Sequence, residues 1–343
     1  MSRPLKVVAI ITAHNEADII GPVVGYLIEQ GLSVYLIDHG SSDGTSQAVR
    51  GFLDHGVLAI EAFPSERFPA AKDAFSLTDI LAYETEVAAT LDADWIIHHD
   101  ADEFRESPWE HLRLVEAIER VDRLGYNAID FQVYDFWPTD EGFRPGHDPR
   151  PFFRFCEPGR AWNKRQVKCW KKGASVDLVA SGGHDARFEG RRVFPMRFLL
   201  RHYPIRSQEH GTRKVFLERR PRLSAKEVAQ GWHLQYADSV EGRTFVRDPS
   251  TLIEYNGEAA RLALMLGNRD AEELQATLEE TTARLADTTA TLASSRAEAS
   301  NLIRDIETQR RELSDVYASR SWRWTSLLRT AQRFLMRLGG RGR

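Results

Sequence analysis

The chain has 343 residues, of which 46 are Lys or Arg, 50 are Asp or Glu and 42% are hydrophobic. This composition and a formal net charge of -4 exclude a disordered chain, a collagen-like chain and a strongly basic nucleic-acid-binding protein, so we expect no nucleic acid partner. Two cysteines, Cys156 and Cys169, give neither a disulfide framework nor a Cys/His metal cluster. They predict a reducing, cytoplasmic environment.

Apolar, β-branched runs alternate with helical patterns along the first 133 residues. The strand-like runs cover 7–11, 34–37, 57–62, 95–98 and 128–133, and the helical patterns cover 47–53, 78–90 and 109–124. This alternation predicts an α/β fold with a mostly parallel, Rossmann-like sheet and flanking helices. Changes in composition divide the chain into an α/β domain over 1–225, a helical extension over 226–269, a long helix over 270–317 and a tail over 318–343.

The long helix has a heptad pattern. One core position holds Leu278, Leu285, Leu292, Ala299, Ile306 and Leu313, and the other holds Leu274, Thr281, Thr288, Ser295, Leu302, Gln309 and Val316. One position is therefore apolar and the other mostly polar. The pattern predicts a coiled coil that joins copies of this chain into a homo-oligomer, and the alternative is a single helix that lies back on the α/β domain.

The tail is a basic amphipathic segment. Residues 318–343 contain seven Arg and no acidic residue, which leaves 39 basic against 50 acidic side chains in residues 1–317. Trp, aliphatic residues and Arg interleave in this segment, as they do in helices that lie in an anionic lipid surface. The tail predicts peripheral attachment to the inner face of a membrane, with docking to a partner protein as the alternative.

Two carboxylates follow the fourth strand-like run, at Asp100 and Asp102. On an extended chain both would project from one face, into the crevice at the carboxyl edge of a parallel sheet. Neighbouring carboxylates repel each other unless a cation lies beside them, and Mg²⁺ or Mn²⁺ accepts carboxylate and phosphate oxygens together. The pair therefore predicts a site for a metal-bound diphosphate.

The first and second strands also end in polar turns. Thr12 and Glu16 follow the first strand, and Asp38 and Asp43 follow the second. These turns predict ligand contacts at the same edge of the sheet, and the alternative for each is a capped turn or a first-turn helix acid.

These three turns carry a family resemblance. The segments Val8-Ala9-Ile10-Ile11-Thr12-Ala13-His14-Asn15-Glu16, Ile37-Asp38-His39-Gly40-Ser41-Ser42-Asp43-Gly44-Thr45 and His99-Asp100-Ala101-Asp102-Glu103-Phe104 resemble the successive motifs of glycosyltransferase family 2, whose members have the GT-A fold. The resemblance covers about residues 5–220, and the Asp-Ala-Asp-Glu-Phe variant is similar to one subgroup. His39 stands where many members have a second Asp.

The resemblance implies a nucleotide-sugar donor, with Asp38 near the base, Asp100 near the ribose and metal, and Asp102 as a direct metal ligand. It also implies a late contact to metal or diphosphate, for which His202 is favoured over His184, and Lys214 is a candidate phosphate contact. Inversion at the anomeric carbon and a glycan or lipid-linked acceptor in surface polysaccharide or lipopolysaccharide synthesis are further expectations. The candidate bases are Asp185, which is favoured, His184, Glu189 and Glu209.

Three rival functions follow from the same residues. An Asp-x-Asp phosphotransferase or phosphatase uses the first Asp as a nucleophile, but its pair is expected after the first strand. A GT-A nucleotidyltransferase needs a glycine-rich, basic loop after that strand, which this chain lacks. A non-enzymatic coiled-coil scaffold on a membrane would not need Asp102.

Overall fold

The computed structural model describes residues 3–63, 76–158, 166–173, 175–222, 240, 242–266 and 269–339. Within these residues the chain forms two compact units, Met1–Arg269 and Asp270–Arg343. The boundary expected at 225/226 lies among residues 223–239, which are outside the described residues. No helix in the described part of the chain has the length and apolar character needed to cross a bilayer.

A six-stranded sheet forms the centre of the first unit, in the order β3-β2-β1-β4-β9-β6. The first four of these strands pair in parallel, and β9 pairs antiparallel with both β4 and β6. The strands are β1 Val7–Ala13, β2 Ser33–Asp38, β3 Val57–Ala62, β4 Trp95–Asp100, β6 Ala128–Ile129 and β9 Cys169–Lys171. The predicted α/β class with a mostly parallel sheet is confirmed.

Helices cover both faces of this sheet because its central strand is apolar on both sides. Val7, Ala9 and Ile11 pack into one buried cluster with helix α1, Ile20–Glu29, whereas Val8 and Ile10 pack into another with helix α3, Leu77–Thr90. Successive side chains of a strand point to opposite faces, so an unbroken apolar run supplies both clusters. Among the described residues of the α/β region, the remaining α-helices are α2 Thr45–Arg50, α4 Leu114–Arg123, α5 Gln208–Thr212 and α6 Gly257–Leu266, and a π-helix over Arg213–Arg219 follows α5.

A second, five-stranded sheet has the order β11-β8-β7-β10-β5. Its strands are β5 Glu103–Glu106, β7 Phe131–Phe136, β8 Phe155–Pro158, β10 Phe198–His202 and β11 Ile253–Glu254. The chain passes from the first sheet to the second at the Ala101–Asp102 turn, between β4 and β5. The two sheets are therefore joined at the Asp-x-Asp motif.

The second unit is helical. Helix α7 runs without interruption over Arg269–Ala318, 50 residues, which confirms the predicted long helix. Helices α8, Arg320–Trp324, and α9, Ser326–Gly339, follow it. Ser319 caps α8 by accepting a hydrogen bond from the Trp322 backbone N–H.

Candidate active site

The Asp-x-Asp motif spans the junction of the two sheets. Asp100 is the last residue of β4, but Asp102 lies in the turn before β5. The two carboxylates are therefore not presented by one extended strand, as the sequence had suggested, because the chain turns to enter the second sheet. Each carboxylate has its own set of partners.

A buried lysine neutralises Asp100. The Nζ atom of Lys168 lies 2.5 Å from Oδ2 of Asp100 and 3.5 Å from Oε1 of Glu103, and the Lys168 side chain is only 2% exposed. Burial alone would lower the pKa of Lys168, but Asp100 and Glu103 outweigh it and raise this pKa. The Arg105 guanidinium completes the cluster by donating to Glu103. Asp100 is thus a carboxylate with a built-in counter-charge.

Asp102 lies among several ionic groups. Lys214 Nζ is 2.8 Å from Oδ2 of Asp102 and 2.9 Å from Oε1 of Glu16. Arg206, which is 1% exposed, donates to both Glu16 and Asp18, and its Nη1 atom lies 3.7 Å from Oδ2 of Asp102. Burial would raise the pKa of Glu16, but Arg206 and Lys214 hold it well below its usual range. These ion pairs tie the turn after β1 to the segment after β10.

His202 faces the other oxygen of Asp102. Its Nε2 atom lies 3.6 Å from Oδ1 of Asp102, and its Nδ1 atom lies 2.7 Å from Oδ1 of Asp135. Asp135 is its register partner on β7, so the parallel ladder itself fixes this hydrogen bond. Burial opposes protonation of His202, but Asp102 and Asp135 outweigh it and raise its pKa to about 9.

Asp102 and His202 offer a donor set for a divalent cation, which would displace the proton from Nε2 of His202 on binding. A carboxylate oxygen and a ring nitrogen face each other, and the second ring nitrogen is oriented by a carboxylate, as is usual for histidines that bind metals. The carboxylate suits Mg²⁺ or Mn²⁺, and the softer imidazole nitrogen favours Mn²⁺ of the two. Asp100 lies next to this pair in the sequence, but its carboxylate is paired with Lys168.

A second group of possible ligands is better described as an ion-pair cluster. Glu16, Asp18 and His210 bring one ligand atom each within 4.8 Å of one another. However, Arg206 binds both carboxylates, and its backbone N–H donates to Nδ1 of His210 at 3.3 Å. Burial, then Arg206 and Lys214, hold the pKa of His210 far below its usual range, so its ring is neutral. The charges of this cluster are already balanced.

The acidic side chains of the turn after β2 accept hydrogen bonds from backbone N–H groups. Asp38 accepts hydrogen bonds from the Ser41 backbone N–H at 2.8 Å and from the Ser46 hydroxyl. Asp43 accepts from the backbone N–H groups of Thr45 and Ala17, both at 3.0 Å. Asp43 thereby joins the β2 turn to the β1 turn.

Three further predicted residues lie close to the motif. Thr12 is the register partner of Asp100 across the β1–β4 ladder. His184 has its Nδ1 atom 3.0 Å from Nε2 of Gln166, and burial, followed by Lys168, lowers its pKa to about 4. The carboxylate of Asp185 binds Arg191 at 2.5 Å and Arg187 at 3.3 Å. A β-bridge between Val167 and Asp185 places this turn beside the segment that carries Lys168.

Sequence reasoning did not foresee the ion pairs that Lys168, Arg206 and Asp135 form in the site. A local signal existed for Lys168, which lies between the buried residues Val167 and Cys169. A charged residue in such a position needs a buried partner. Asp135 and Arg206 likewise adjoin the buried residues Phe136 and Ile205, but the partners of all three charged residues are distant in the sequence, and no local pattern identifies them.

Comparisons with known proteins give little additional information. No family model matches the chain, and no curated protein matches it. Among solved structures, Staphylococcus aureus TarS 1-349 in complex with UDP aligns with a TM-score of 0.35 and 10% identity. The alignment covers 59% of this chain and 61% of that one, so the chain spans less than two thirds of that structure.

Proposed function

We propose that the chain is a glycosyltransferase that moves a sugar from a nucleoside-diphosphate sugar to a hydroxyl group and requires Mn²⁺ or Mg²⁺. The observation that carries this proposal is the facing pair of Asp102 Oδ1 and His202 Nε2, with Asp135 behind the ring. The pair lies where β4 ends, and ligands of α/β proteins bind at the carboxyl ends of parallel strands. The motif resemblance supports the same reaction class.

Asp102 and His202 would hold the metal, with Asp100 beside them. A divalent ion at this position would supply positive charge to a leaving diphosphate. Lys214 and Arg206 are buried cations at the same carboxylate, and because Glu16, Asp18 and Asp102 balance their charges, their role would be to hold Asp102 in position. Thr12, Glu16, Asp38 and Asp43 would position the donor, and the hydrogen bonds of Asp38 and Asp43 would fix the β2 turn and join it to the β1 turn.

The acceptor hydroxyl must lose a proton, and Asp185 remains our proposed base. Its carboxylate pairs with Arg187 and Arg191, and proton transfer requires that it also meets the acceptor directly. His184 is neutral at pH 7. In the assigned orientation of the Gln166 amide, its Nε2 group donates a hydrogen bond to Nδ1 of His184, and the proton of the neutral ring is therefore on Nε2 of His184. We therefore propose that His184 donates to a substrate oxygen. Asp185→Asn should lower kcat about 100- to 10,000-fold and leave donor binding intact.

Thermal stability in the presence of donors tests the proposal. UDP-, GDP- and dTDP-sugars are added to the full chain with and without Mn²⁺. A ligand at a hundredfold excess over Kd adds about 2.7 kcal/mol, which for a domain of this size corresponds to roughly 5–10 °C in Tm. We expect one nucleotide class to raise Tm in the presence of Mn²⁺ and to lose its sugar to water in a hydrolysis assay.

Matched variants make this test specific. Asp102→Asn and His202→Gln should abolish the Mn²⁺-dependent rise in Tm, whereas His147→Gln, at an exposed histidine, should retain it. A rise that survives both site variants, or no rise with any donor, would rule out this site. Hydrolysis of a phosphomonoester that depends on Asp100 would instead support the phosphotransferase alternative.

The wider role is also a proposal. The resemblance suggests inversion at the anomeric carbon and a glycan or lipid-linked acceptor in surface polysaccharide or lipopolysaccharide synthesis. The basic tail supports an acceptor at the inner face of a membrane, because interleaved Arg and Trp favour an anionic lipid surface.

A further inference from the structure

Helix α7 has an apolar face that is open to solvent. Over residues 281–317 the large apolar side chains are between 49% and 67% exposed, namely Leu285, Leu292, Leu302, Ile303, Ile306, Leu313, Val316 and Tyr317. Leaving such side chains in water costs free energy that burial against another surface would recover.

These eight side chains follow a heptad without exception. With Leu285 at position a, they occupy only positions a, d and e, and the other four positions hold Ala, Ser, Thr, Asn or charged residues. A face with a period of seven is the face that a second helix covers by knobs-into-holes packing. A helix that packs on a globular surface instead follows the natural period of 3.6 residues.

The apolar face is uneven along the helix. In its first half, position d holds Thr288 and Ser295, so the apolar face there consists mainly of single leucines. From Ala299 onward, Leu302, Ile303 and Ile306 widen it to three positions. Most of the apolar surface that a partner helix could cover therefore lies within residues 299–317.

Charged side chains beside the apolar face of residues 299–317 favour one orientation of a partner helix. Asp305 occupies position g and Arg310 the following position e, five residues later. In a parallel pair without stagger, each g residue meets the following e residue of the second helix. Neither side chain forms an ion pair within the described part of the chain. Asp305 would meet Arg310 of the second copy, and the symmetry of the pair would repeat this contact.

We propose that α7 of this chain forms a parallel, in-register dimer with α7 of a second copy, held mainly by residues 299–317. Gln309, a polar residue at position d, would face its own copy across the axis. A polar residue in the core of a coiled coil fixes register at some cost in stability. This inference does not depend on the proposed enzymatic function.

Disulfide cross-linking of the full chain tests register and orientation together. Ile306→Cys places a thiol at position a, where the two copies meet in a parallel, in-register dimer. The natural cysteines, Cys156 and Cys169, are both buried. Under mild oxidation we expect more than half of this variant to run as a covalent dimer. The matched control, Arg311→Cys at the outer position f of the same helix, should remain largely monomeric.

The mass of the assembly in solution and charge-reversal variants of α7 provide two further tests. Light scattering should give twice 39.1 kDa for the natural chain. Arg310→Glu should weaken the dimer about tenfold, and Asp305→Arg with Arg310→Glu should restore it. A mass of one chain, a mass above two chains, or equal cross-linking at positions 306 and 311 would overturn the proposal.

Discussion

At the scale of single residues, the site depends on buried cations that sequence motifs do not reveal. Lys168 is 2% exposed and contacts two acids, Asp100 and Glu103. Removing one member of a buried ion cluster leaves the remaining charges uncompensated, which is more costly than losing a surface ion pair.

We therefore expect Lys168→Met to reduce the free energy of unfolding by about 3–5 kcal/mol. The matched control is Lys171→Met on the adjoining strand, where the lysine is 47% exposed and pairs with Asp122 at 2.7 Å. This exposed pair should be worth about 1 kcal/mol or less. Urea denaturation of both variants measures the difference, and equal losses would contradict the assignment of Lys168 as a buried counter-charge.

His184 should make the fold sensitive to mild acid. Its pKa is about 4 in the folded chain and 6.5 ordinarily, so below pH 6.5 the unfolded chain binds a proton that the folded chain does not. Stability should then fall as the pH drops from 6.5 to about 4, by at most about 3 kcal/mol from this group. In urea titrations at several pH values, His184→Asn should flatten this part of the profile. A profile identical to that of the natural chain would show that His184 is not responsible.

At the scale of elements, the turn that carries His184 and Asp185 packs tightly on β4. Gly183 has a φ of +86°, and a Cβ atom added there would lie 2.8 Å from Nε2 of His98. The His98 ring has little freedom to move, because its other nitrogen contacts the fully buried Glu84 at 2.7 Å. The glycine is therefore required by both its backbone conformation and its closeness to the ring.

Substitutions at two glycines distinguish the cost of the positive φ from the cost of overlap with the His98 ring. Gly190 has a φ of +70° but nothing within 4 Å of an added Cβ atom. We expect Gly190→Ala to cost about 1–2 kcal/mol for the backbone alone, and Gly183→Ala to cost at least about 1 kcal/mol more because of the overlap. Urea denaturation measures both costs, and donor binding should weaken only for Gly183→Ala.

The sequence predicted whole elements better than it predicted contacts. The apolar run through β1 indicated a strand buried on both faces, and the structure places its alternate residues in two separate clusters. The run before Asp100 likewise located the motif at the end of a strand. The turn at Asp102 was not foreseen, because it depends on where the chain joins a second sheet. The hydrogen bond from His202 to Asp135 depends on strand register, for which no local pattern exists.

At the scale of the whole molecule, charge is divided between the tail and the rest of the chain. Residues 318–343 hold seven Arg and no acid, and the Arg329 guanidinium lies 3.6 Å from the centre of the Trp322 ring. Basic and aromatic side chains that interleave along one short segment favour binding to anionic lipid, with about 1 kcal/mol for each basic residue near the surface.

We expect the full chain to float with vesicles that contain anionic lipid and not with purely zwitterionic vesicles. High salt should reverse the binding because it screens the charges. Replacing Arg320, Arg323 and Arg329 by Glu should abolish flotation, whereas replacing three exposed arginines of the other unit, Arg123, Arg144 and Arg192, should not. Flotation that is unaffected by the tail variant would favour a different membrane contact.

The Ala101–Asp102 turn also limits which insertions and deletions the sequence can accept during evolution. Asp100 is fixed by a lysine that precedes β9, and Asp102 is fixed by a lysine beyond α5, so the two anchors belong to separate parts of the scaffold. Insertion or deletion of one residue between them would pull one carboxylate away from its anchor. Related proteins with other substrates should therefore keep this spacing and vary the surrounding loops, where changes in length leave both anchors in place.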